Sequence, residues 1–397
     1  MTEESTRATL WVIVASATLT VMAGAVLGPV VPGIQEGLGV SESLAGLIIT
    51  THGAFIVVTS PVAGVLIDRY GPRRPYVAGL GLYAVGGGAG AFIDSFVPLL
   101  LSRAVLGIGV AFVYTGVTVL IYRLYQGQRM DRALGLRTGA NSVGAAVWPL
   151  VGGALGFFSW QAPFAVYLVA APLGLVALAA IPESGRGAEN GDAAGPIDER
   201  AGRDSALGDG LVAVLRRRPA LLAVYVLYFA ANALLYSIVV FYPQLLAEIG
   251  VASAFGIGLY LSANGIAGGV SSLLYDRFKQ RVGAFALVLA AFVLWLAAFG
   301  LAVTVTTPLG AFAPVVLFGL GLGVVFPSVF TWIESLVSER KQGQFGSYAA
   351  MAGYIGQFAA PVVFGPFVAP FGIRGVFTAA AIVAGVGIVS TTAASRQ

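Results

Sequence analysis

Only a few groups in this 397-residue chain have the types and spacing to do chemistry. Arg103 stands alone in LLLSRAVLGIGVAF (99–112), with no acidic residue within eight positions on either side. A permanent cation in such a run has two uses. It sets the sign of the potential in a cavity, or its five N–H groups cap carbonyls of neighbouring helices. His52, the one histidine, is the side chain that titrates near neutral pH and is therefore the candidate for handling a proton; a hydrogen-bonded structural histidine is the alternative. Tyr225, Tyr228, Asn232 and Tyr236 recur at helical spacing and fall within an arc of about 80°. That stripe either lines a cavity or combines packing with an interfacial aromatic belt. Finally, Asp68 lies within a few residues of Arg69, Arg73 and Arg74, a set able to form a charge network.

Other chemistries are excluded by what the chain lacks. It has no cysteine, hence no disulfide or thiol nucleophile, and its single histidine rules out a histidine cluster for a metal. No acidic pair at helical spacing lies within an apolar run, and Gly-x4-Gly-Lys-Ser/Thr is missing. An enzyme is not expected, nor is any cofactor.

The elements that position these residues follow from composition. The chain is 58% hydrophobic and 10% charged, with a mean hydropathy of +0.89, against roughly one quarter charged in an average soluble domain. Too little polar surface remains to cover a water-soluble globule. Apolar stretches of about 20 residues, enough to cross a bilayer as helix, recur at about 9–32, 44–67, 75–94, 97–121, 133–158, 162–181, 220–247, 253–275, 283–303, 309–334, 343–368 and 375–393. The expectation is an all-α polytopic membrane protein with twelve spans.

Charge orients them. If the N-terminus is cytoplasmic, the segments 1–8, 68–74, 122–137, 182–219, 276–282, 335–342 and 394–397 are inside, and they hold 20 of the 22 Lys and Arg. The exceptions are Arg103 and Arg374. This bias predicts cytoplasmic termini and a multi-pass protein of the cell membrane. No cleavable signal peptide is expected, because the first apolar segment is too long. A pI near 9.3 then reflects loops facing anionic lipid, with no nucleic-acid partner implied.

Residues 182–219 carry 13 of the 40 charged residues among Gly, Ala, Ser and Asp, the composition of a mobile linker. The expected organisation is a six-helix bundle over 1–181, a cytoplasmic linker over 182–219 and a second bundle over 220–397. The halves repeat: Gly107 pairs with Gly319, Gly109 with Gly321, Gly144 with Gly356, Pro149 with Pro361 and Gly153 with Gly365, all 212 positions apart. Asp68-Arg69 pairs with Asp276-Arg277 at 208. Two such pseudo-symmetric bundles are a transporter architecture, with the site between them near the midplane.

The chain resembles the major facilitator superfamily over essentially its full length. GVLIDRYGPRR (64–74) matches that family's loop between spans 2 and 3, with Gly64, Asp68, Arg69, Gly71, Arg73 and Arg74 in place. The second copy, SLLYDRFKQR, has Lys279 where glycine is expected. Arg103, Gly107 and Gly109 fit its Arg-x3-Gly-x-Gly pattern of span 4. GAAVWPLVGG (144–153) resembles the span 5 pattern of the twelve-helix drug:proton antiporter branch through Gly144, Pro149, Gly152 and Gly153, with Trp148 replacing a glycine.

The resemblance implies a secondary transporter that works by alternating access, with spans 1, 4, 7 and 10 around the cavity and the 64–74 loop as a gate latching one half against the other. The implied substrate-binding residues are Arg103, Tyr114, Tyr228, Asn232, Tyr236, Asn264 and Gln357, with His52 as the proton-coupling candidate. No Asp or Glu lies mid-span, so neutral or anionic amphiphiles suit the cavity better than cations. Proton-coupled efflux of small amphipathic solutes is the first expectation. Proton- or ion-coupled uptake of an organic anion and a transporter-like receptor without flux stand beside it. A monomer in a lipid bilayer is expected.

Overall fold

A computed structural model describes residues 3–181 and 219–394, and every regular element among them is helical. The expected linker, 182–219, lies outside these residues except for Pro219. In chain order the helices are α1 (Glu3–Ala25), α2 (Val31–Leu38), α3 (Glu42–Tyr70), α4 (Arg73–Gly88), α5 (Phe96–Leu124), α6 (Gln128–Leu155) and α7 (Ala170–Ala180). The second set is α8 (Pro219–Glu248), α9 (Ala254–Leu273), α10 (Tyr275–Thr304), α11 (Phe312–Leu336), α12 (Glu339–Phe364) and α13 (Val368–Ala394). A 3-10 turn at Gly28–Val30 joins α1 to α2, and a longer one, Ala162–Val169, leads into α7.

Eight stretches among the described residues are long and apolar enough to cross a membrane, from Ala8–Leu38 to Gln342–Thr392, the last spanning both α12 and α13. Three helices fall outside that set. α4 has only 16 residues, while α6 and α9 are diluted by Gly, Ser and Asn, and α6 also by charge. The exterior is apolar: Val85, Leu175, Ile382 and Val389 are all more than 60% exposed on mid-helix faces. Such a surface is stable in lipid and not in water.

The 212-residue repeat is visible in the backbone. Ser41 and Ser253 cap α3 and α9 in the same way, each hydroxyl accepting from the amide three residues on; this satisfies one of the first-turn N–H groups. Gly71, after α3, has φ 77° and ψ 163°. Gly283 breaks the α10 segment at φ 80° and ψ 158°. α5 and α11 both end on an extended residue, Tyr125 and Val337. These matches correct the expected pairing of Asp68-Arg69 with Asp276-Arg277. The equivalent of Asp68-Arg69-Tyr70-Gly71 is Gln280-Arg281-Val282-Gly283, so the second half keeps the turn glycine and lacks the acid.

Glycines set how closely the helices approach. Within the halves, Gly107 lies on the His52 carbonyl of α3 and Gly319 on the Asn264 carbonyl of α9, and 52 and 264 are again 212 apart. Between the halves, Gly46 of α3 packs on Pro361 of α12, and Gly258 of α9 on the Pro149 carbonyl of α6. Gly53 faces Gln357, and Gly265 faces the Ala145 carbonyl. The result is two mirrored seams, α3 on α12 and α9 on α6, related by the repeat.

The seams occupy one side of the molecule. Thr9, at the start of α1, bonds to the Ala180 carbonyl at the end of α7, and Asp68 meets Arg123 at the ends of α3 and α5. These contacts mark the terminal face. Toward it the close approaches stop: a side chain added at Gly64, Gly135, Gly139 or Gly343 would meet nothing within 4 Å. Contact between the halves is closer toward the far face than toward the terminal face.

Candidate functional site

The α8 stripe points between the halves. Asn232 donates from Nδ2 to the Tyr228 carbonyl one turn back, at 2.8 Å. Its Oδ1 accepts from Gln357 Nε2 of α12 at 3.1 Å. Gly353 makes room, since a side chain there would strike the Tyr228 ring and the Asn232 amide. Tyr228 packs on Phe326 and Phe330 of α11, with ring centroids 5.1 and 5.8 Å away. Tyr225, nearer the terminal face, donates to the Phe345 carbonyl at 3.2 Å and serves packing within the second half. Tyr236, on the other side, places its hydroxyl against Gly24 of α1.

The first half supplies the opposite wall. Tyr114 of α5 meets Tyr354 of α12 edge to face, at 6.3 Å and 89°. Arg137 of α6 lies 4.9 Å above the Tyr114 ring and donates to Thr118 Oγ1 at 3.0 Å. Tyr114, Tyr228, Asn232, Tyr236 and Gln357, expected together from sequence, are therefore brought to one region between the repeats. Two acceptors nearby are buried without a donor, Gln357 Oε1 and Asn141 Oδ1. Native structures leave few such atoms unpaired.

Arg103, expected among the substrate-binding residues, lies behind the cluster and not in it, its Nη2 on the Ala23 carbonyl next to the Gly24 that the Tyr236 hydroxyl touches. Arg103 is fully buried. Its Nε donates to the Ile48 carbonyl of α3 at 3.0 Å, and its Nη2 donates to the Ala23 carbonyl and to Tyr167 Oη. Tyr167 Oη also donates to Ala23, at 2.9 Å, and the guanidinium lies 4.9 Å from the Tyr167 ring centroid. Ala23 is in the last turn of α1, where carbonyls lack an amide further along the helix and the dipole is negative. Arg103 caps that end from another helix and ties α1, α3, α5 and the Ala162–Val169 turn together.

Asn264 is likewise not in the cluster; its side chain and carbonyl are packed on Gly319, between α9 and α11. His52 is buried, with Nδ1 2.6 Å from the Ile49 carbonyl. Because a carbonyl only accepts, Nδ1 carries a proton.

Asp68, Arg69 and Arg73 of the charged loop make contacts within the first half. Asp68 is 3.7 Å from Arg123, Arg69 lies over the neighbouring Tyr70 ring, and Arg73 donates to the Leu178 carbonyl. Arg74 is exposed. In this conformation Asp68 does not latch one half to the other. The Gly144–Gly153 pattern serves two contacts: Gly144 packs on Thr18 and Gly152 on the Val26 carbonyl within the first half, while Gly153 on the Ala254 carbonyl and the Pro149 carbonyl facing Gly258 belong to the seam. Trp148, the departure from the pattern, donates its indole N–H to the Thr18 carbonyl at 3.0 Å and joins α6 to α1.

Arg137 is the site residue that sequence reasoning missed. Grouped with the loop charges of 122–137, it sits nine residues into α6, ~14 Å along the helix. Its signal was the stripe Arg137, Asn141, Gly144 and Trp148 at helical spacing.

Comparison with known proteins places this geometry. A family model described as Major Facilitator Superfamily matches residues 13–361. The chain is 25% identical over 345 residues to multidrug resistance protein 1 of Bacillus subtilis, covering 85% of this chain and 84% of that protein. It is 30% identical over 337 residues to transcription regulatory protein OpdE of Pseudomonas aeruginosa, covering 80% and 76%. Among solved structures, the crystal structure of a bacterial homologue of the human lysosomal transporter Spinster, inward-facing and unoccupied, superposes with a TM-score of 0.82 at 16% identity. That superposition covers 100% of this chain and 98% of the other, and at such identity it speaks to fold alone.

Proposed function

Because the chain belongs to the Major Facilitator Superfamily, and is therefore a multi-pass membrane transporter and not an enzyme, we propose that it exports small amphipathic solutes in exchange for protons by alternating access. One observation carries this reading: a polar and aromatic cluster from both repeats lies between them, on the looser side of seams that lie toward the far face. Alternating access needs a site that either half can uncover by rocking against the other.

In this reading the twelve spans cross the cell membrane, as bundles 1–181 and 220–397 joined by 182–219, in a monomer. The terminal face, rich in Arg and Lys, is cytoplasmic, so the conformation, looser toward that face, is inward-facing. Efflux draws support from relatives named multidrug resistance protein 1 and bacillibactin exporter, together with the α6 glycine–proline pattern. Asp68, Arg69, Arg73 and Arg74 form the cytoplasmic gate when the halves close on that side. His52 is the coupling group in this reading through Nε2, since Nδ1 is committed to the Ile49 carbonyl.

The test is dye transport in everted vesicles with the lumen made acidic. Accumulation that collapses with a protonophore supports proton-coupled efflux. Accumulation only with an acidic exterior would make the chain a symporter, and the absence of flux under either gradient would leave a receptor.

A further inference from the structure

Arg137 is the cation beside the Tyr114–Tyr354 pair. We propose that Arg137 binds the anionic group of the substrate, and that the substrate is a carboxylate-bearing aromatic or alicyclic amphiphile with at least one hydroxyl or N–H donor. This rests on the transport reading above and names the substrate class of that same site.

The argument begins with cost. A charge within a membrane span is unfavourable and persists where it faces a bundle interior or a watery cavity. Arginine near a helix end commonly snorkels toward the headgroups. Arg137 does not: its guanidinium donates sideways to Thr118 and lies over Tyr114, and Tyr114 is ten residues inside the end of α5, ~15 Å by helical rise. Among the described residues its partners are this hydroxyl and this ring, and no carboxylate contacts it. Thr118 takes one of five N–H groups, leaving a planar fork suited to a carboxylate held by two parallel hydrogen bonds.

The surroundings define the rest of the ligand. Tyr114 and Tyr354, edge to face, offer aromatic surface beside the fork for an apolar body. Gln357 uses its Nε2 on Asn232 and is left with an unpartnered Oε1, and Asn141, one turn beyond Arg137 on α6, has an unpartnered Oδ1. Both orphans are acceptors, so a fitting ligand brings donors. Arg103, the cation that the sequence places nearest the cavity, is fully buried with its Nε and Nη2 on the Ile48 and Ala23 carbonyls and Tyr167, while its Nη1 has no partner. That leaves the cluster with a positive potential and no carboxylate to receive a cation.

The test compares two xanthene dyes of opposite charge, fluorescein and rhodamine 6G, by equilibrium binding to the purified full chain in detergent under mildly acidic conditions, where fluorescein carries its carboxylate and keeps one phenolic hydroxyl. Vesicle flux is measured separately, so failure of transport and failure of this assignment are distinguishable. The wild type is expected to bind fluorescein roughly tenfold more tightly than rhodamine 6G. Arg137→Gln is expected to weaken fluorescein by roughly tenfold without weakening rhodamine 6G, and Arg137→Lys to retain part of the affinity. Tighter binding of rhodamine 6G by the wild type overturns the proposal and needs no variant to fold. Unchanged fluorescein affinity in a folded Arg137→Gln overturns it as well.

Discussion

Gly24 and Tyr236, 212 positions apart, touch: the Tyr236 hydroxyl occupies the space that a side chain on Gly24 would need. Each is the other's equivalent in the repeat, so the contact marks where the pseudo-twofold axis passes between α1 and α8. Tyr236 is buried and its ring has little room to retreat.

Gly24→Val is therefore expected to disfavour the conformation closed at the far face without unfolding the halves. The chain has no cysteine, so spin labels at Glu36→Cys and Ala252→Cys, on opposite sides of the far-face cleft, report only that distance. It should lengthen in the Gly24→Val background; an unchanged distribution would mean that the contact is not part of the closure.

Arg103→Ala should destabilise the first half strongly. It removes donors from the Ile48 and Ala23 carbonyls and from Tyr167, and hydrogen bonds to charged groups contribute ~1.5–3 kcal/mol each. Loss of two to three of them predicts a cost of about 3–9 kcal/mol, visible as a lower unfolding temperature in detergent. A variant with wild-type thermal stability and lost transport would return Arg103 to the substrate site.

Asp68→Asn is expected to leave thermal stability close to wild type while reducing flux severalfold. The Asp68–Arg123 pair is 3.7 Å long and largely exposed at 80% and 45%, and pairs of this kind contribute little to stability. The function of the acid lies in the state where the faces exchange. Wild-type flux in the Asp68→Asn variant contradicts the gate assignment.

Gly71→Ala and Gly283→Ala should cost similar amounts, about 1–3 kcal/mol each, because φ near +80° with ψ near 160° is a region nearly restricted to glycine. Asp276→Asn should leave flux unchanged, since Asp276 stands at the position equivalent to Gly64 and not Asp68. A flux defect in Asp276→Asn as large as that in Asp68→Asn would restore the 208-residue pairing.

The repeat and the α8 stripe were legible because each is a local pattern: glycine and proline spacing, polar residues on one arc. Arg103 was half legible. Its isolation announced a buried cation, but the carbonyls it caps lie 55 and 80 residues away, and no spacing rule reaches them. Arg137 was hidden by its company, since Arg123, Arg129 and Arg132 precede it and the count of basic residues absorbs it into a loop. Asp276-Arg277 misled for the opposite reason, a dipeptide match that ignored where the helix turns.

The two seams have a mechanical consequence. Each sets glycine against backbone or proline, Gly46 on Pro361 and Gly258 on Pro149, so the far side is held by shape. Forces of that kind act only at contact distance and are indifferent to dissolved ions. The charges gathered at the opposite face are not: their interactions fade beyond about 8–10 Å at physiological salt. Ionic strength thus pulls on one end of the lever alone, and the resting tilt of the two halves becomes a property of the surrounding electrolyte as well as of the protein.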